Sequence, residues 1–117
     1  RPKRKFISAS TREYEYAGYL RAWVSKVERV GNLNYPDEAR RRGLSGRLVM
    51  TVAVRRDGSI EEIVLNRSSG LGVLDQAATR IVRLSEPFPP LPESQDPVDV
   101  LHITRTWQFQ NGSVASE

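Results

Sequence analysis

The stretch "GRLVMTVAVRRDGSIEEIVLNR", residues 46–67, holds two alternating runs joined by Asp57-Gly58. In the first run Leu48, Met50, Val52 and Val54 share one face, and Arg47, Val49, Thr51, Ala53 and Arg55 the other. Successive side chains of a strand point to opposite faces, so a period of two describes a half-buried strand. Its second face is only partly polar, which suits a central position in a sheet. Asp57 and Gly58 tolerate the positive backbone angles of a tight hairpin turn, and Ile63 and Leu65 point one way beyond it. The two runs are therefore antiparallel neighbours. Glu61 and Glu62 are adjacent and face opposite sides, so they cannot act as a catalytic pair and read as surface charge.

Upstream, "NLNYPDEARRRG" is a short, well-punctuated helix. Pro36 suits its first position, Asp37 and Glu38 favour the positive N-terminal end, and Arg40, Arg41 and Arg42 favour the C-terminal end before Gly43. That placement accounts for the three arginines without nucleic acid. Before it, Tyr16, Leu20, Trp23, Val24, Val27 and Val30 recur every three or four residues, the pattern of an amphipathic helix, with Gly31 placed to end it. Residues 1–13 open with four basic residues in the first five and read as the flexible end of a basic linker.

Downstream, Leu74, Ala77, Ala78, Ile81 and Val82 form a second amphipathic face, with Asp75 near the helix start. Five prolines between residues 87 and 97 stop that helix and hold an extended crossing. The chain then enters "VLHITRTWQF", residues 100–109, its most strand-like segment. Leu101, Ile103, Trp107 and Phe109 share one parity. Arg105 interrupts them, so either a bulge shifts the register or its stem lies on the sheet with its charge at the rim. Residues 111–117 read as a flexible tail.

The simplest assembly is a two-layer α+β domain over residues 14–110: a three-stranded antiparallel sheet of order 2-1-3, covered by helices. The last strand is then an edge with one side unpaired, able to recruit a second copy of the chain.

The chain of 117 residues fits one domain and carries a net charge of +4. It has no cysteine, which excludes disulfides, thiol nucleophiles and thiolate metal sites. His102 is the only histidine, no serine has an identifiable base, and no phosphate loop or dinucleotide fingerprint occurs. An enzyme, a metal or a cofactor is not indicated. No run approaches the length of a membrane span.

In order along the chain, the Tyr-Pro entry at residues 35–36, the Gly-x-Leu strand, the Asp-Gly hairpin, the Ser-Ser-Gly turn, the Leu-Asp-x-Ala-Ala helix and the closing aromatic strand resemble the C-terminal domain of the TonB family of energy transducers. The resemblance spans about residues 20–109. It implies a periplasmic domain tethered to the bacterial inner membrane by an N-terminal helix absent from this sequence. It further implies a proton-driven inner-membrane complex of ExbB and ExbD as partner, and binding of the TonB box, a short peptide of outer-membrane transporters. In that family the peptide adds as a strand beside the last strand, helped by residues just ahead of the Tyr-Pro motif. Carried over, the peptide site comprises Asn32, Leu33, Asn34 and Tyr35 with Val98, Val100, Leu101, His102, Ile103, Thr104, Arg105 and Thr106. Asn32 falls where well-known members have a functionally important Gln, one methylene longer. A TolA-like envelope adaptor with another periplasmic partner is the alternative.

Overall fold

The structure, a computed structural model, describes residues 1–10 and 14–117. Along the chain it contains β1 (Arg4–Ser8), a 3-10 turn (Tyr14–Tyr16), α1 (Ala17–Leu33), α2 (Asp37–Arg42), β2 (Gly46–Arg55), β3 (Ile60–Arg67), α3 (Gly72–Ser85), β4 (Val100–Gln110) and β5 (Ser113–Ser116). The strands form one mixed five-stranded sheet of order β1-β4-β2-β3, with β5 also paired to β4. This corrects the three-stranded antiparallel sheet of order 2-1-3, because two terminal segments join it. Arg4–Ser8, read as linker, pairs in parallel with residues 100–104, and Ser113–Ser116, read as tail, pairs antiparallel with residues 107–110. Of the expected flexible linker, residues 11–13 lie outside the described residues.

The helices pack on one face, where Leu48, Met50, Val52 and Val54 of β2 meet Leu101, Ile103, Trp107 and Phe109 of β4, all essentially buried. From α3, Leu74, Ala77, Ala78, Ile81 and Val82 are fully buried against them, as their spacing predicts. Trp23 of α1 is also fully buried and stacks on Phe88 of the proline-rich crossing, with ring centroids 5.3 Å apart.

Two local expectations change. Gly31 does not end α1, which continues to Leu33. A Cβ there would lie 3.1 Å from Val114 and 3.3 Å from Ile81, so the bare glycine lets α1 approach both β5 and α3. In the hairpin, only Gly58 has a positive φ, +90°, and Asp57 instead accepts hydrogen bonds from the Ser59 N–H and hydroxyl at 2.9 and 2.6 Å. The left-handed Gly43, φ +63°, ends α2 as expected.

Candidate functional site: the outer side of the last strand

Backbone groups along a strand alternate between its two neighbours, and on β4 the even-numbered residues point away from β2. The Val100 N–H donates to the Lys3 carbonyl at 3.2 Å, and Thr106 exchanges hydrogen bonds with Glu117 at 2.5 and 2.8 Å. Hence β1 occupies the outer side as far as Thr104, and the C-terminal segment occupies it from Thr106 onward. The edge that sequence left unpaired is filled by the chain itself.

The two covers are held differently. In β5 the N–H groups that face away from β4 are satisfied by α1: Val114 donates to Asn32 Oδ1 at 2.8 Å and Ser116 to Glu28 Oε2 at 2.9 Å. Glu28 and Asn32 are one helical turn apart, so a single face of α1 seals this half of the edge. Arg105 adds to it, donating through Nη2 to the Ser116 carbonyl at 3.1 Å. It lies on the helix side in regular register, among Leu20, Arg21, Val24, Ser25 and Glu28, so its stem rests on the sheet and no bulge is needed. Burial lowers its pKa, opposed by Glu117 and Glu28.

Only Ile7 of β1 is buried, beside Ile103 in the register. Lys5 lies over the buried Tyr16 ring, 5.9 Å from its centroid, and Lys3 holds the rim. The Lys3 N–H donates to Asp99 Oδ2 at 2.8 Å, and the Lys3 ammonium pairs with Asp96. On the open face Arg4 reaches across β4 and β2 to β3, bonding both oxygens of Glu61 at 2.7 and 3.2 Å. Its Nη1 also lies 3.0 Å from His102 Nε2, which therefore accepts as a neutral ring. Phe6 stacks on the same imidazole, 4.3 Å between centroids, yet remains 69 % exposed. The Arg4 hydrogen bond holds Glu61 below the usual carboxylate range. Burial, then the Arg4 charge, lowers the His102 pKa, and Glu61 and Glu62 oppose this.

The expected site residues fall into two groups. Val100, Leu101, His102, Ile103 and Thr104 line up under β1, and Val98 is buried just before them with its carbonyl accepting from Arg56 at 3.3 Å. Thr104 shares a hydrogen bond with Thr51 at 2.7 Å, and Thr106 belongs to the C-terminal half. Asn32, Leu33, Asn34 and Tyr35 sit at the end of α1 and just beyond it instead, with Asn32 against β5. The Asn32 side-chain oxygen is taken by Val114, Leu33 is exposed, Asn34 donates to the Val30 carbonyl at 2.8 Å, and Tyr35 is buried against Phe109. Sequence reasoning missed Phe6, Ile7, Arg4 and Glu61 because their pairing crosses most of the chain. It also missed β5, although Asn111-Gly112, both with positive φ, is a strong two-residue hairpin signal.

Among the described residues no cluster of acidic or histidine side chains could hold a metal ion, and no helix is long and apolar enough to cross a membrane. A concavity lined by Leu65, Thr79, Arg80, Arg83 and Leu84 lies far from this edge, between β3 and α3.

Fold and edge together define a two-layer α+β domain whose last long strand is paired along its outer side by β1 and β5. Residues 31–110 match the family model described as Gram-negative bacterial TonB protein C-terminal, and the chain belongs to that family of periplasmic, non-enzymatic domains. The fold is similar to the NMR solution structure of Helicobacter pylori TonB-CTD residues 194–285, with TM-score 0.60, 21 % identity, and coverage of 80 % of this chain and 94 % of that one. A longer H. pylori TonB-CTD structure, residues 179–285, gives TM-score 0.57 and 20 % identity over 87 % of this chain and 96 % of that one. No curated protein matches the sequence.

Proposed function

We propose that this domain binds the TonB box of outer-membrane transporters by strand addition on the outer side of β4. Through ExbB and ExbD, acting on an inner-membrane anchor, the protein would couple the proton motive force to those transporters. The observation that carries this reading is that the outer side of β4 already pairs with a short parallel segment over residues 100–104. A peptide strand needs that same row of donors and acceptors. Each backbone bond contributes only about 0.5–1.5 kcal/mol net, so a few of them give modest, reversible binding, and side chains at alternate positions supply selectivity.

Titration of the isotope-labelled protein with TonB-box peptides tests the reading. Amide shifts along residues 98–106 are expected, with smaller effects on Asn32, Leu33, Asn34 and Tyr35, because Asn32 faces β5 and not the outer side of residues 100–104. Saturating peptide that leaves every β4 amide unmoved would exclude this function and redirect the search to another envelope partner.

A further inference from the structure

We propose that β1 is a resident stand-in for the ligand: an incoming peptide takes the place and parallel register of Arg4–Ser8, and the edge selects a β-branched aliphatic side chain at the Ile7 position. This rests on strand addition at β4 as read above. The outer backbone groups of Val100, His102 and Thr104 can pair with one strand at a time, so β1 and a peptide exclude each other there.

The way β1 is held makes it the half that leaves. Glu28, Asn32 and Arg105 lock β5 from the helix layer, whereas β1 has one buried side chain, Lys5 over the Tyr16 ring, and ion pairs of Lys3 at the rim and of Arg4 across the open face. Such pairs keep contact with solvent and are weakened by salt. Selection follows from the same geometry. Ile7 is 2 % exposed and belongs to the core, so its departure opens an apolar space beside Ile103 that the ligand must refill. Only a strand-favouring aliphatic of similar volume fills it without a void or an overpacked wall. Phe6 rests on His102 in the open, so the preceding ligand position is permissive.

The test uses the whole chain with Ile7→Asp, which drives a charge out of the core and detaches the arm. Arg4→Glu repeats it without touching the core. The probes are the synthetic peptide RPKRKFISAS, its Ile7→Ala form, and a panel of TonB-box peptides. Both variants should bind RPKRKFISAS in trans at least tenfold more tightly than the unmodified chain, with shifts over residues 100–104. The Ile7→Ala peptide should lose at least tenfold. TonB-box peptides should also bind the variants at least tenfold more tightly and compete with RPKRKFISAS. Equal TonB-box binding by all three proteins, with β4 shifting and β1 amides still protected, would overturn displacement while strand addition stands. Rebinding of RPKRKFISAS without competition from any TonB-box peptide would overturn the function itself, and this inference with it.

Discussion

At Gly58 one missing side chain joins two distant parts of the chain. Its carbonyl accepts the Phe88 N–H at 2.9 Å, and a Cβ would sit 1.9 Å from the Phe88 carbonyl oxygen. Gly58→Ala must therefore both strain a left-handed backbone and push away the crossing that carries Phe88 onto Trp23. A loss of about 2–4 kcal/mol in denaturant unfolding is expected. His102 offers a second test at this scale. The neutral ring accepts from Arg4, and its pKa is lowered by burial and by Arg4, with Glu61 and Glu62 opposing. Its contribution to holding β1 is thus complete above the unfolded value of about 6.5 and is lost as pH falls through that value toward the lower folded pKa. An NMR titration of the imidazole should give a midpoint below about 6.5, and Arg4→Ala should raise it. A midpoint that ignores Arg4→Ala would disprove the contact.

Among the elements, α1 does more than cover the sheet. Its buried stripe runs through Tyr19, Trp23, Val27 and Gly31, while Glu28 and Asn32 beside it turn two side-chain oxygens to β5. Asn32→Ala leaves the Val114 N–H without its acceptor and should cost about 1–3 kcal/mol. Hydrogen exchange should show faster exchange in β5 with β1 unchanged. Equal loosening of both strands would mean that the two covers are not independently held. The ends of the hairpin follow the same logic of local need. Asp75 sits at the first turn of α3, where burial would raise its pKa, yet bonds from the Ser68 hydroxyl, the Ser69 N–H and the Ser69 hydroxyl outweigh this and lower it. The carboxylate thus pins the Ser-Ser-Gly turn to the helix.

Across the whole molecule, stability is graded from the centre of the sheet to its rims. β2 is flanked on both sides and its four inward residues are buried, whereas β1 contributes Ile7 alone. Native-state exchange should place β2 and the middle of β4 at the global free energy and β1 well below it. The β1 opening should become easier at 0.5 M salt, because its ion pairs are screened at a Debye length of roughly 4–5 Å. Exchange of β1 at the global limit, indifferent to salt, would contradict this. The sequence by itself determined the long elements and the inward faces of β2 and α3: the alternation in β2, the helical spacing of Leu74 to Val82, and the stops at Gly43 and the proline run are all local, written in neighbouring residues. It also marked residues 98–106 as the edge of interest. What covers that edge was decided only by tertiary structure. The five residues of β1 carry no strong pattern and become a strand by pairing with a segment 96 residues away; β5 is a strand because α1 supplies acceptors for its outward N–H groups. Backbone hydrogen-bonding groups are common to every residue, so no local sequence specifies which segment will satisfy them; proximity in the folded chain does.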